Sequence, residues 1–213
     1  MSAHQLHRML GVTYKTAWFM SHRIREAMGI DHTEKLEGTV QSDETYFGQK
    51  DVVVKRTKHG KAGHGSKMSV VSLINKGKSR SFHIDTATIQ TVSKVLRENI
   101  SNEAVLHTDE SRLYKQVGQE FADHKTVKHT AGEYARGDVH VNGAENYFSI
   151  FKRGMRGVYH RCSEKHLQRY LHEFDFRYNT RDLTDFERSI KAIRNSEGKR
   201  LIYRAIKNQQ TYS

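Results

Sequence analysis

Residues 39–48 read TVQSDETYFG, and this stretch decides how the chain folds. β-Branched and aromatic residues surround a central acid, which predicts a strand from Thr39 to Gly48. Side chains alternate along a strand. Val40, Ser42, Glu44 and Tyr46 therefore face one way, and Gln41, Asp43, Thr45 and Phe47 the other. An acid in the middle of such a strand is unfavourable without a partner, so Asp43 asks for one. Glu44 points to the opposite face and reads as a structural or supporting residue.

Downstream the pattern is that of a mixed sheet. Met68–Asn75 (MSVVSLIN) is an apolar strand, and Gly77-Lys78 turns it into Ser79–Ile84, giving a hairpin. Ile89, Val92, Val95, Leu96 and Ile100 carry a helical period across Thr86–Ile100. Ala104–His107 is a short buried strand ending in Thr108-Asp109-Glu110. A short helix over Ser111–Val117, capped by Glu110, and a strand over His124–His129 follow. Thr130–His140 reads as a polar loop. The sequence VNGAENYFSIFKRGMR (141–156) is an amphipathic helix. Asn142, Glu145 and Lys152 recur at spacings of three and seven, which return to one face. Tyr147, Phe148, Ile150 and Phe151 supply apolar bulk elsewhere on it. A further helix starts at Ser163, with Leu167, Tyr170, Leu171, Phe174 and Tyr178 on its apolar face. Glu173, Arg177 and Arg181, four apart on its other side, are spaced to pair. Residues 185–208 give one or two more helices, broken near Asn195–Gly198.

Upstream, Ser2 caps a short helix holding Leu6, Met9 and Leu10, Gly11-Val12 turns, and a second helix runs from Thr13 with Ala17, Trp18, Met20 and Ile24 at helical spacing. A DNA-binding helix-turn-helix and an ordinary αα-hairpin both fit this pattern. In the DNA-binding form Thr13, Tyr14, Lys15 and Thr16 lie near the bases. A basic edge of His22, Arg23 and Arg25 favours that form. Residues 29–38 are a polar linker.

Charge points the same way. Thirty-six Lys and Arg against 24 Asp and Glu give a net charge of +12, which suits a polyanionic partner, either nucleic acid or an anionic membrane surface. No apolar run approaches the roughly 18 residues of a membrane span, and no signal peptide is visible. The single cysteine, Cys162, excludes an intramolecular disulfide and reads as a small hydrophobe. A cytoplasmic, nucleic-acid-facing protein is the simplest class. The Lys-, Gly- and His-rich stretch 49–67 reads as a phosphate-facing arm. Its His59 and His64 lack the matched partners of a metal site.

Three acids thus stand at telling positions: Asp43 mid-strand, Asp109 at a strand's carboxyl end, Glu145 on a later helix. In an α/β sheet these can converge. At ~4 Å and an effective dielectric near 20, each carboxylate pair costs on the order of 4 kcal/mol. Divalent cations remove that cost. Hard oxygen ligands select Mg²⁺ or Mn²⁺, and two such ions about 3.5–4 Å apart suit phosphodiester chemistry. A nearby lysine would hold the phosphate. His107, two residues before Asp109, reads as a satisfied core histidine rather than a ligand.

The motifs SDETYFG (42–48), LHTDESRLY (106–114), VHVNGAENYFSIFKRGMRG (139–157) and SEKHLQRYLHEFDFRYNTR (163–181) together resemble insertion-sequence transposases of bacteria, of the DDE superfamily. The likeness is to the ISXO-like branch, related to Merlin-type elements, and covers nearly the whole chain. It implies an α/β fold: an RNase H-like mixed sheet flanked by helices over 39–160, preceded by a helix-turn-helix over 1–30 and followed by a C-terminal helical extension over 161–213. It implies metal-dependent DNA cleavage and strand transfer. Asp43, Asp109 and Glu145 are then the ligands of two Mg²⁺ or Mn²⁺ ions, Lys152 grips the phosphate, and Arg153 and Arg156 contact DNA backbone, with Thr13–Thr16 and Arg23 as further DNA contacts. The 35 residues between Asp109 and Glu145 agree with the separation familiar in DDE enzymes.

Two departures stand out. The branch is often described with Asn in place of the third acid, and Asn142 and Glu145 both lie on the helix. Charge and spacing favour Glu145, with Asn142 kept as a ligand or substrate contact. Family members also commonly begin with a zinc ribbon, absent from this sequence, so a truncated or start-shortened copy is expected. Implied partners are DNA (element ends and target) and further copies of the chain, with a bacterial, nucleoid-associated location. The alternatives are a catalytically inactive or domesticated DNA-binding remnant, and an RNase H-like nuclease.

Overall fold

The computed structural model describes residues 1–30, 32–50, 66–127, 135–136 and 139–199. Most of the basic arm, with His59 and His64, lies outside them, as do residues 128–134 and everything beyond 199. A five-stranded sheet forms the centre, in the order β3-β2-β1-β4-β5. Its strands are β1 (Thr39–Phe47), β2 (Met68–Asn75), β3 (Lys78–Ile84), β4 (Val105–Asp109) and β5 (Asp123–Val127). β2 is antiparallel to both β1 and β3, whereas β1, β4 and β5 are parallel. This is the order and direction of an RNase H-like fold. The β2–β3 hairpin turns at Lys76-Gly77, both at positive φ, one residue earlier than the sequence suggests.

Alternation along the strands divides the core into two layers. Phe47, Met68, Val70 and Ile74 face helices α5 (Asn142–Gly154) and α6 (Leu167–Asn179), meeting Tyr147, Phe151, Leu171 and Phe174. Val40, Val71, Leu73 and Leu106 face α3 (Ile89–Asn99) and the short α4 (Arg112–Lys115), meeting Val92, Leu96 and Tyr114. Cys162 is buried in the first layer, as expected of a small hydrophobe. The linker before β1 is partly docked: Leu36 forms a parallel bridge with Ile100. No helix among the described residues is long and apolar enough to cross a membrane.

Several expectations needed correcting. The helix expected from Thr86 begins at Ile89, because Thr88 and Thr91 form a reciprocal cap. Ser111, not Glu110, caps α4. Part of the expected loop 130–140 is a small ladder of β6 (Ala135–Arg136) and β7 (Val139–His140). Ile150 is exposed.

Around the sheet the charged residues are arranged differently from their sequence pattern. Helices α1 (Ala3–Leu10) and α2 (Tyr14–Met28) join through Gly11, at φ 65, the helix–turn–helix order that both the DNA-binding motif and an ordinary αα-hairpin share. Met9 and Leu10 are exposed, leaving Leu6 as the buried residue of α1. The expected basic edge of α2 is only partly an edge. His22 and Arg25 are buried against α6, and Arg23 alone of the three is exposed. Arg25 Nε donates to Glu173 at 2.8 Å, and Arg169 Nε donates to Glu26 at 3.1 Å. The Arg25 guanidinium also lies 4.2 Å from the Tyr170 ring centre and 4.9 Å from that of Tyr159. Glu173 on the charged side of α6 is therefore turned into an interface, while Arg177 beside it stays exposed. Glu173 does pair with Arg177 at 3.6 Å, but Arg181 lies past the helix end and donates to the carbonyls of Gly77 and Tyr178.

α6 also closes the open edge of the sheet. An edge strand presents unpaired backbone groups that invite another chain. Here Gln168, Asp175 and Asn179, at spacings of seven and four, bond the backbone of β3. Gln168 accepts from His83 N and donates to Ser81 O; Asp175 accepts from Ser81 N; Asn179 accepts from Ser79 N and donates to Ser79 O.

Candidate active site

The parallel ladder between β1 and β4 ends at Gln41 and His107. Two residues further along each strand stand Asp43 and Asp109. An even step keeps the pleat, so both carboxylates project to the face shared by Gln41 and Phe47. Asp43 Oδ1 accepts from Glu44 N at 2.8 Å, and Asp109 Oδ1 accepts from Ser111 N at 3.0 Å. These bonds orient each carboxylate and leave its second oxygen for another partner.

α5 covers this end of the sheet because two small residues let it come close. Gly143 N donates to the Gln41 side chain at 2.9 Å. A Cβ on Gly143 would meet that same Gln41 oxygen at 2.7 Å and Ile74 at 3.0 Å. At the other end, a Cβ on Gly154 would strike the Phe174 ring at 2.6 Å. The helix is thus seated against β1 at its start and against α6 at its finish. Tyr147, Phe148 and Phe151 are buried beneath it. Beyond Gly154 the chain continues as a π-helical turn, Met155–Tyr159, closed by His160 N donating to Met155 O at 2.7 Å.

The electrostatics tie the strands to the helix. Burial pushes the Asp43 carboxyl up to about 7, with Glu44, Asp109 and Glu145 adding to it; the bond from Glu44 N works against them. Burial and the Arg156 charge hold Lys152 below the usual lysine range, opposed by Asp43. Asp43 is thus the hub that senses both strand-end and helix acids and the lysine. Glu145 is one turn into the helix and exposed, while Asn142 is its first residue, also exposed. Asp43 is therefore within electrostatic reach of Asp109, Glu145 and Lys152. Among the described residues no three His, Cys, Asp or Glu side chains stand close enough to hold a metal ion as they are. The chemistry of the set still fits a hard divalent cation: the donors are carboxylate oxygens, and the mutual repulsion at Asp43 is what a cation relieves.

Glu44 lies on the opposite face, as its position predicts. It accepts from the buried Tyr114 hydroxyl at 2.7 Å and is held above the usual carboxylate range mainly by burial. His107 is buried as expected, but its Nδ1 finds no hydrogen-bond partner among the described residues, so it is less fully satisfied than a core histidine should be. Gln41 and Gly143, which seat α5, were not singled out from sequence. The signal available was Gln41's place two residues before Asp43 on the same face.

Thr13, Tyr14, Lys15 and Thr16 are all exposed at the start of α2. Thr13 caps the helix by accepting from Thr16 N at 3.1 Å, and Tyr14 stacks on His4 with ring centres 4.3 Å apart. Arg153 and Arg156 are exposed at the end of α5 and on the turn after it.

Among solved structures, a simian T-cell lymphotropic virus intasome in complex with PP2A regulatory subunit B56 gamma aligns over 100% of this chain and 74% of its own. The TM-score is 0.35 at 14% identity, too loose a likeness to carry anything further. A protein of Halobacterium salinarum, described as an uncharacterized protein in transposable element ISH50, is 29% identical over 193 residues. That alignment covers 83% of this chain and 64% of the relative, so the chain spans less than two thirds of its relative's length. The ISXO2-like transposase domain matches residues 35–179, which include the whole sheet, α5 and α6. With more than half of its length matched, the chain belongs to the ISXO2-like transposase family.

Proposed function

We propose that the chain catalyses metal-dependent cleavage and strand transfer of DNA, with Asp43, Asp109 and Glu145 as the ligands of two Mg²⁺ or Mn²⁺ ions. The observation that carries this reading is the state of Asp43. A half-buried carboxyl pushed up to about 7 by desolvation and by the neighbouring acids Glu44, Asp109 and Glu145 is poised for a cation rather than for a structural ion pair. Bound there, divalent ions would activate a water or 3′-hydroxyl and stabilise the leaving oxygen. Asp43 and Asp109 each keep one oxygen engaged by a backbone N–H, which fixes the direction of the other. Glu145 is favoured over Asn142 as the third ligand because Asp43 responds to its charge; Asn142, three residues earlier on the helix, contacts substrate.

Lys152 holds the scissile phosphate on the same side of the sheet. Its partial burial weakens its hydration, which strengthens its grip on an anion. Arg153 and Arg156 contact the DNA backbone beside it. Thr13–Thr16 and Arg23 engage DNA through the helix-turn-helix, the first four near the bases. DNA is thus both the substrate and the partner, and the protein works at the chromosome, within the nucleoid.

Asp43→Asn, Asp109→Asn and Glu145→Gln are each expected to lower Mn²⁺-dependent cleavage of DNA carrying the element ends by more than about 10³-fold, on the order of 4 kcal/mol in the barrier. DNA binding measured in the same buffer should be retained. Full cleavage by Asp43→Asn or Asp109→Asn rejects the reading. Loss of activity with Asn142→Ala but not with Glu145→Gln reassigns the third ligand. A free 3′-hydroxyl joined to target DNA separates strand transfer from simple hydrolysis.

A further inference from the structure

Helix α5 begins without a cap of its own. Val141 stands at its N-cap position and offers no side-chain hydrogen bond. Helices α1, α2, α3, α4 and α7 (Asp185–Arg194) start differently: Ser2, Thr13, Thr88, Ser111 and Thr184 each accept from a backbone N–H of the first turn. The first N–H groups of a helix have no partner within it, so a missing local cap leaves donors to be met from elsewhere. At α5 the acceptor comes from β1: Gln41 Oε1 takes the Gly143 N–H at 2.9 Å, across 102 residues of sequence. The other end of the same amide fixes which way it points. Oε1 is engaged as an acceptor, so Nε2 is the donor, and it faces His140 Nδ1 at 3.3 Å. His140 ends β7 and Gly143 lies in the first turn of α5, so one side chain spans the joint between them.

Strand β4 reaches the same joint. His107, the cross-strand neighbour of Gln41, bonds the His140 backbone through its ring. Gln41 stands two residues before Asp43, and His107 two before Asp109. Each acid-bearing strand thus uses the preceding residue on the same face to hold the joint from which α5, with Asn142 and Glu145, sets out. We propose that Gln41 is a positioning residue for the third metal ligand: acting as the cap that α5 lacks, it fixes the start of the helix and so the distance from Glu145 to Asp43 and Asp109. The proposal rests on the metal-binding reading above; it adds that the strand carrying Asp43 also places the helix acid. A side chain that merely filled space at position 41 would pack under the helix but leave its first turn free to shift. Such a shift moves Glu145 relative to the strands while Gly154 stays seated against Phe174. Partners of this kind, one step behind the ligands, change metal affinity about 10–100-fold when removed.

The test uses the full chain, first without DNA. Gln41→Leu keeps roughly the size of the side chain and removes its amide. With isotope-labelled glycine, the Gly143 amide is expected to exchange with solvent at least about tenfold faster than in the unaltered chain. Mn²⁺ affinity, read from the paramagnetic resonance signal of the free ion, should fall by about 10–100-fold. Cleavage of DNA should fall with it and return as Mn²⁺ is raised, which damage to the fold would not allow. Gln41→Glu retains an acceptor for the Gly143 N–H and should keep the slow exchange, with Mn²⁺ bound no more weakly than by the unaltered chain. Gly143→Ala, whose Cβ would press on the Gln41 oxygen at 2.7 Å, should mimic Gln41→Leu with Gln41 still present, and it carries the test should Gln41→Leu not fold. Unchanged Mn²⁺ affinity in Gln41→Leu and Gly143→Ala, beside a loss in Asp43→Asn, overturns the proposal and leaves the metal site standing. An affinity indifferent to Asp43→Asn as well overturns the metal-binding reading, and the proposal with it.

Discussion

Two clusters of charge lie on the same side of the sheet, and they are built in opposite ways. Between α2 and α6, charges of opposite sign are matched: Arg25 with Glu173, Arg169 with Glu26, and the Tyr159 hydroxyl donating to Glu173 at 2.5 Å. Between β1, β4 and α5, charges of like sign are gathered around Asp43, and burial makes their repulsion worse. The first cluster balances its own charges and fixes α1 and α2 onto the core. The second stays unbalanced among the described residues, with Lys152 the one cation that responds to Asp43. Burying a matched pair costs desolvation that the pairing offsets, whereas burying like charges has no such compensation.

The sharpest way to break the contrast is to unmatch the matched cluster. Glu173→Ala leaves the Arg25 charge buried without its carboxylate and is expected to lower stability to urea by about 3–5 kcal/mol. Replacing both partners, Arg25→Met with Glu173→Met, should recover most of that loss. If the single and double variants are equally unstable, the pair is not what holds the helices together.

Acid should find the same interface. His22 is buried beside Trp18, His166 and Tyr170, with its Nδ1 lacking a partner among the described residues. Burial lowers its ionisation to about 3, with the charges of Arg25, His166 and Arg169 adding to it. Below the ordinary histidine value of 6.5 the unfolded chain takes up this proton and the folded chain does not. Stability from His22 is therefore full above about pH 6.5. It falls by up to about 1.4 kcal/mol per pH unit towards pH 3. His22→Phe should flatten that part of the profile measured by thermal or urea unfolding. An unchanged slope would show that the burden lies elsewhere.

The unmatched cluster should respond with the opposite sign. Asp43→Asn relieves repulsion and is expected to raise stability in chelator at pH 8 by about 1–2 kcal/mol, while removing the gain in thermal midpoint that Mn²⁺ gives the unaltered chain. A loss of stability in chelator would mean that Asp43 serves the fold. The smallest effect belongs to Arg97 and Glu120, paired at 2.6 Å but exposed. Arg97→Ala should leave the thermal midpoint within error, because water screens such a pair.

Much of this was legible in the residues themselves. The alternation of TVQSDETYFG put Asp43 and Glu44 on opposite faces of β1, and the apolar runs, the hairpin and the period of α3 dictated the sheet's strands. The spacing of Glu145 and Lys152 set them on one side of α5. These features were readable because a strand's period of two and a helix's period of 3.6 are local properties of the chain. Local periodicity says which residues share a face, but not what lies against it. Glu173 and Arg177 read as a pair within one helix, and His22 and Arg25 as a basic edge suited to DNA, because each pattern was complete within its own helix. Only the docking of α2 on α6 turned Glu173, His22 and Arg25 inward. The same holds for Asp175 and Asn179, whose task of closing the β3 edge depends on a strand about a hundred residues away. The sequence by itself determined the elements, their faces and the acids at stake. The tertiary structure alone decided which charges would be matched and which left unmatched, because burial and pairing depend on neighbours that are distant along the chain.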